Sequence, residues 1–272
     1  MSSLYLNEEL HPDAFAPGAR LPVWGADARH AAQVARVRTG ERIGVGDGRG
    51  RLAWGRVVHV AQGEVAIEAD EIVIEDRPGP RITLVQALAK GDRDELAIQA
   101  ATELGVSAVV PWQAARSISV WKGDKAAKGI ERWRSVVREA SKQAIRASVP
   151  EVGELVSTRA LAEALRLAPL AQGAAWALVL EPTAPLSLSA AVHPGSPSTA
   201  VPPRSLSEAA GRVEGPTEIT LIVGPEGGIA PEELRELELA GAQLVRLGPE
   251  VLRTSTAGPA AIAALSVLLG HW

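Results

Sequence analysis

From Arg81 onward, apolar runs short enough for strands alternate with helix-spaced segments. That alternation admits few architectures other than an α/β layer with a mostly parallel sheet. "RITLVQALA" reads as a buried strand and "SAVVPW" as the next one. Between them "GDRDELAIQAATELG" reads as a helix with Asp92 at its N-cap, Glu95 in the capping-box position and Gly105 as its stop. Ile130, Trp133, Val136, Val137, Ala140 and Ala144 share one helical stripe, which predicts a long helix over 125–147. Further strands are expected in "AWALVLEP", "EITLIVG" and "AQLVRLG". "TAGPAAIAALSVLLG" should close the chain as a buried helix with Pro259 in its first turn.

Residues 1–76 follow a different rule. "ERIGVGDGRGRLAWGRVVHV" and "GEVAIEADEIVI" have extended, partly alternating patterns broken at Gly and Asp, as expected for a small β-barrel domain. Within them "GVGDGRG" looks like a nucleotide-binding turn, but Asp47-Gly48 between two short strands fits a hairpin better. "ADARHAAQVARV" is the one helical segment here, with Asp27 as its expected cap. "RPGPR", 77–81, breaks either period and serves as a linker, leaving 82–272 for the α/β domain. Residues 191–215, rich in Pro, Ser and Gly, read as a flexible surface loop.

Composition removes whole classes of chemistry. The chain of 272 residues has no cysteine, so disulfides, zinc–cysteine sites and thiolate nucleophiles are out, and its five histidines are too scattered for a metal cluster. Neither a signal peptide nor a spanning segment is apparent, so a cytoplasmic protein is expected, with no membrane partner and no metal. The net charge of −4 hides an asymmetry. Residues 20–60 carry eight arginines against Asp27, Glu41 and Asp47, for +5; residues 114–150 carry nine Lys/Arg against Asp124, Glu131 and Glu139, for +6. Separate basic stretches on an otherwise acidic chain suit local contact with a phosphate backbone. Solvated helix faces are the plain alternative.

Two segments carry the chemistry. "LIVGPEGGIAPEEL", 221–234, is a strand, a glycine turn and an acidic helix start, the place where open α/β sheets put ligands. Glu226 inside the turn would repel phosphate, and no Gly-Lys-Ser/Thr follows, so the turn suits an uncharged or cationic ligand. "RLGPEVLRTSTAGPAAIAAL", 246–265, places Leu252, Arg253, Thr254 and Thr256 between a strand end and the last helix. Helix capping alone would also account for its hydroxyls. Lys90 and Arg93, at the start of the first α/β helix, are placed to meet phosphate.

"KGDRDELAIQAATELGV", "REASKQAIRASVPEV", "LIVGPEGGIAPEEL" and "LGPEVLRTSTA" resemble, in that order and at similar spacing, the bacterial 16S ribosomal RNA methyltransferase E family, which methylates N3 of one uridine. "RHAAQVARVRTGERI" extends the resemblance to the N-terminal part. It implies a PUA-like RNA-binding barrel, then a SPOUT methyltransferase domain with a C-terminal trefoil knot, in a homodimer acting on 16S rRNA of the small ribosomal subunit. It also implies that S-adenosylmethionine sits among three loops. In this sequence these are the strand end at Leu180, the turn Val223, Gly224, Pro225, Glu226 and Gly228, and the segment Leu247, Gly248, Leu252, Arg253, Thr254 and Thr256. A carboxylate is acceptable beside a cationic sulfonium where it would not be beside phosphate. Ile145 stands where the family usually has glycine, and Ser255 where it has glutamate.

Methyl transfer needs in-line positioning, and uridine N3 must lose a proton. Arg253 is the expected stabiliser of charge on the uracil oxygens and Glu226 the candidate base. Methylation at pyrimidine C5 usually employs a cysteine adduct, whereas N3 needs none, in keeping with a cysteine-free chain. RNA contacts are expected from Arg36, Arg38, Lys90, Arg93, Arg116, Lys142 and Arg146. The competing readings are a SPOUT enzyme acting on tRNA or a ribose 2′-hydroxyl, and a non-catalytic RNA-binding or ribosome-assembly factor.

Overall fold

The computed structural model describes residues 3–61, 63–76, 79–168, 175–192 and 216–272. Nearly all of the expected surface loop at 191–215 lies outside them. The chain divides into two compact units, Met1–Arg77 with Val137–Pro150, and Pro78–Val136 with Glu151–Trp272. Segment Val137–Pro150 thus groups with the first unit, whereas the sequence reading kept it within 82–272.

The first unit is built on a five-stranded sheet in the order β1 (Leu4–Leu6), β3 (Arg42–Gly46), β4 (Arg51–Ala61), β5 (Glu64–Ile74), β2 (Arg20–Trp24). Only β1 and β3 pair parallel. Buried Leu21, Val23, Val45, Val57, Val65 and Ile67 form its core. "GVGDGRG" joins β3 to β4 as a hairpin, where the buried Asp47 carboxylate accepts the Arg49 and Arg51 N–H groups at 2.7 and 3.0 Å. No nucleotide is needed to explain its glycines.

The N-terminal helical segment differs from expectation. Helix α1 (Gly25–Arg29) passes directly into a wider π-helical turn at His30–Val34, where the Ala35 N–H reaches the His30 carbonyl at 2.9 Å. Asp27 does not cap it. Trp24 holds the cap position, and the Asp27 side chain is buried inside the helix, accepting the Leu6 N–H at 2.8 Å, Arg138 at 3.1 Å and Lys142 at 2.9 Å. Burial alone would push this carboxyl up, but those donors outweigh it and hold the group below the ordinary carboxylate range.

The second unit is a wholly parallel sheet in the order β12 (Gln243–Val245), β10 (Ala175–Leu180), β11 (Glu218–Val223), β6 (Arg81–Ala87), β7 (Ala108–Gln113), β8 (Glu151–Val152), with β9 (Val156–Ser157) also on β7. The strands read as continuous apolar runs because they are buried on both faces. Helices α2 (Arg93–Glu103), α4 (Thr158–Leu167), α5 (Leu188–Val192), α6 (Pro231–Leu239) and α7 (Thr254–Leu268) complete the unit. Strand order reverses around β6: the chain first builds outward to β7 and β8, then returns to its other side with β10 and β11, and β12 lands beyond β10. Helix α7 comes back to the middle, where Gly258 lies so close to the sheet that a Cβ there would stand 3.0 Å from Leu84 and 3.5 Å from Val223.

Three helix details depart from the sequence reading. Asp92 sits at the N-cap of α2, but in the left-handed region with φ 57°, and its side chain makes no capping bond. Asp94 takes over, accepting the Ala89 and Glu95 N–H groups, while Glu95 binds Arg132 at 2.8 Å instead of closing a capping box. Pro259 lies in the second turn of α7, six residues in, rather than the first. The long helix α3 is Asp124–Gln143, four residues shorter than predicted at its C-terminus.

The end of α3 explains the shortening. The Arg146 N–H bonds to the Ser141 carbonyl at 2.9 Å and the Ile145 N–H to the Lys142 carbonyl at 3.2 Å, the paired bonds of a Schellman stop, with Ile145 at φ 54°. Helices α2, α6 and α7 end with the same pair of bonds, but with Gly105, Gly241 and Gly270 in the left-handed position. Ile145 therefore occupies the backbone position that α2, α6 and α7 give to glycine.

Candidate cofactor site

Leu180 is paired in register with Val223 on one side and Val245 on the other. Three parallel neighbours thus end at one level, and the three loops leaving them surround a cavity of about 330 Å³. This is the C-terminal edge of the sheet, beside the reversal of strand order, where α/β folds place ligands.

The first loop, after Leu180, contributes Glu181 and Pro182. It is tied to β12 by the Glu181 N–H on the Val245 carbonyl at 3.0 Å and by Arg246, which donates to the Ala184 carbonyl at 2.6 Å and to that of Pro185. The second loop is the glycine turn. Its tightness has an internal cause: a Cβ on Gly224 would lie 2.5 Å from Ile229, because the chain folds straight back on itself, and Gly228 has φ 72°. The turn is anchored outside by Arg116, which donates to the Gly227 carbonyl at 3.2 Å, and below by Glu233, whose carboxylate accepts the N–H groups of Ala230 and Ala115 and the Thr158 hydroxyl.

The third loop runs through Leu247, Gly248, Leu252 and Arg253 into α7. The buried Thr254 hydroxyl donates to the Gly224 carbonyl at 2.7 Å and accepts from Gln86 at 2.9 Å, so strand β6, the glycine turn and helix α7 are held by one chain of hydrogen bonds. The Arg253 side chain is exposed and lines the cavity, with no acidic partner among the described residues. Glu226 accepts from the Lys90 N–H and from the Arg93 guanidinium, both at 3.0 Å. Partial burial raises the Glu226 carboxyl, but these bonds and its own backbone N–H prevail, so it is held below the usual range.

The residues expected to hold the cofactor line this cavity with one exception. Thr256 faces away and is exposed; its N–H caps onto the Arg253 carbonyl, and Ala257 takes the lining place. Sequence reasoning passed over Glu181, Arg246, Glu250 and Gln86. Gln86 carried a usable signal, a lone amide inside an apolar strand. Of the expected RNA contacts, Arg36 and Arg38 are exposed, as are Lys90, Arg93 and Arg116. Lys142 is a correction: it is buried in ion pairs to Asp27 and Glu139, at 2.9 and 2.8 Å, and cannot grip a phosphate on the surface. Arg146 is buried as well. Among the described residues no cluster of three His, Asp or Glu could hold a metal, and no helix is long and apolar enough to cross a membrane.

The pattern of the RNA methyltransferase domain matches residues 76–266 and that of the RNA methyltransferase PUA domain residues 25–69, which makes the protein an RNA methyltransferase. A ribosomal RNA small subunit methyltransferase E from Mycobacterium bovis is 41% identical over 94% of the chain and 89% of the relative. That from Bacillus subtilis is 28% identical over 90% and 88%. A crystal structure of the enzyme from Neisseria gonorrhoeae bound to S-adenosyl methionine superimposes with a TM-score of 0.74 at 28% identity, covering 98% of each chain. The chain belongs to the ribosomal RNA small subunit methyltransferase E family.

Proposed function

We propose that the protein methylates N3 of a uridine in 16S rRNA of the small ribosomal subunit, with S-adenosylmethionine held among the loops after β10, β11 and β12. The observation that carries this reading is the register of Leu180 with Val223 and Val245, which brings three loops around one cavity whose apolar walls suit an adenine ring. The lining charges are balanced, Arg93, Arg246 and Arg253 against Glu181, Glu226 and Glu250, as suits a ligand bearing an ammonium, a carboxylate and a sulfonium. When bound, S-adenosylmethionine supplies an activated methyl group. The chain's own residues do the rest. Gln86 and Thr254 keep two cofactor loops at a fixed spacing, which serves the in-line geometry that methyl transfer needs. Arg253, at the cavity and without an ion-pair partner among the described residues, stabilises the negative charge that spreads over the uracil oxygens as N3 loses its proton. Glu226 is ionised, as a base must be, but its hydrogen bonds lower its proton affinity, which favours an anchoring over a proton-accepting role.

The homodimer and the trefoil knot belong to this proposal, and the return of α7 to the middle of the sheet after β12 supports the knot. The domain division 1–76, 77–81 and 82–272 is kept, with 137–150 serving the first unit. The test is methyl transfer from labelled S-adenosylmethionine to purified unmethylated small subunits, followed by nucleoside analysis. Label in 3-methyluridine is expected. Label in another nucleoside would keep the enzyme class and change the target; no cofactor binding would favour a binding factor.

A further inference from the structure

The segment between β7 and α3, residues 114–123, lies in the same unit as the cofactor cavity and is bonded to the glycine turn. The Ala115 N–H donates to the Glu233 carboxylate at 2.9 Å, and that carboxylate also accepts the Ala230 N–H just after the turn. One residue on, the Arg116 guanidinium donates to the Gly227 carbonyl at 3.2 Å, and the approach is close: a Cβ on Gly227 would stand 3.3 Å from that of Arg116.

The other end of the segment is fixed as well. The Gln113 amide spans it, donating to the Ser119 carbonyl at 3.1 Å and accepting the Trp121 N–H at 3.2 Å. Trp121 packs on the start of α3, with its ring centroid 5.6 Å from that of buried Trp133 and its indole over Gly129, where a Cβ would come within 2.5 Å of the ring. Glycine at 129 therefore serves the packing of this segment.

What the frame presents to solvent is charge. Residues 116–128 carry Arg116, Lys122, Lys125 and Lys128 against Asp124, for +3, in a chain of net charge −4. Lys122, Lys125 and Lys128 are exposed, with no ion-pair partner among the described residues. Further along α3, Arg132 and Arg134 are taken by Glu95 and Glu131. Lys125 and Lys128 are three apart and so share one face of the helix, and Lys122 stands just before its start. Cations that the fold leaves uncompensated, on a frame already ordered, suit a polyanion, because little side-chain or loop ordering remains to oppose binding.

We infer that this segment and the first turns of α3 dock the phosphate backbone of the rRNA beside the cofactor loops, through Lys122, Lys125 and Lys128. Phosphate contacts of this kind set register without reading sequence, and register is what in-line transfer to one nucleotide requires. The inference rests on the reading that small-subunit rRNA is the substrate. Exposed Ile118 and Val120 on the same segment make a ribosomal protein the alternative partner.

The test compares the full chain with the triple variant Lys122→Gln, Lys125→Gln and Lys128→Gln, since glutamine keeps the helix propensity of lysine. Binding to deproteinised 16S rRNA and to purified small subunits is measured over a series of salt concentrations. The slope of log K against log salt should fall by about 2–3 on both, as expected for three phosphate contacts at about 0.7–0.9 each. Melting temperature and S-adenosylhomocysteine affinity should stay unchanged. Arg159→Gln with Arg166→Gln is the control, because both arginines are exposed on α4 and also lack an ion-pair partner among the described residues. Their removal should leave the slope as it is. An unchanged slope in the triple variant overturns the inference, and so does an equal fall per cation in the control, which would leave only overall charge at work. An effect on subunits that is absent on deproteinised rRNA assigns the surface to a ribosomal protein and overturns it too. The readout does not depend on turnover. Methyl label outside 3-methyluridine, with the slope lowered in the triple variant, would remove the proposed target and keep the docking surface; 3-methyluridine formed with the slope unchanged would do the reverse.

Discussion

Among the cationic side chains, Arg253 and Arg138 show how neighbours decide what a charge does. Arg253 lines the candidate cofactor cavity with no ion-pair partner among the described residues, which leaves its guanidinium available to a developing anion. Arg253→Ala should lower kcat by about a hundredfold, the scale of losing one preorganised donor, while S-adenosylhomocysteine affinity measured by calorimetry falls much less. Unchanged turnover would remove Arg253 from the mechanism. Arg138 is spent on structure, since with Lys142 it neutralises the buried Asp27. Removing the carboxylate takes from both cations their buried partner and leaves only the more exposed Glu8 and Glu139, so Asp27→Ala should cost up to about 3–5 kcal/mol in denaturant unfolding. The pH dependence has a definite sign. Because the folded carboxyl titrates below its unfolded value, its stabilisation is complete above the unfolded pKa of about 3.9 and is lost as pH falls through the folded value. Asp27→Asn should therefore show a flatter stability profile than the wild type below about pH 4.

Among the elements, the helix stops are the most telling. Three of the four Schellman ends use glycine, and the sequence marks Gly105 as such a stop without difficulty. The fourth is hidden, because Ile145 continues an apolar stripe that a helix would also produce, and periodicity runs on to 147 where the backbone has already turned. Ile145→Gly removes a left-handed β-branched residue, a strain of about 1–2 kcal/mol, against about 0.5–1 kcal/mol of added chain entropy. Since the Ile145 side chain is 46% exposed, little burial is lost. The variant should melt about 2 °C higher in calorimetry; a lower melting temperature would show that Ile145 packing outweighs its backbone strain. The same contrast explains what else could be read. Parallel strands β6, β10 and β11 are apolar on both faces and stand out, and the glycine turn after β11 is marked by composition. What escaped depends on tertiary partners: Asp27 looks like a cap until Arg138 and Lys142 arrive from over a hundred residues away, and Glu95 looks like a capping-box residue until Arg132 claims it.

For the whole molecule, the two basic stretches have unequal claims on RNA. In 114–150, Arg132, Arg134, Arg138 and Lys142, four of the nine cations, are engaged by Glu95, Glu131, Asp27 and Glu139, and Lys142 is buried as well. In 20–60, Arg20, Arg42 and Arg51 are paired, but Arg29, Arg36 and Arg38 are exposed with no acidic partner among the described residues, and all three fall beside the π-helical segment, one before it and two after. We propose that these arginines, on one short segment of the PUA domain, are the phosphate contacts of a chain whose net charge is −4. Affinity for rRNA should fall steeply with salt, and removing one arginine–phosphate pair should reduce the slope of log K against log salt by about 0.7–0.9. Arg36→Ala and Arg38→Ala should each lower that slope by about this amount without shifting the melting temperature. Lys142→Ala should do the opposite, destabilising the first unit while leaving the slope unchanged, because its ammonium is compensated inside the fold. A slope that responds to Lys142 and not to Arg36 or Arg38 would put the RNA on a different face.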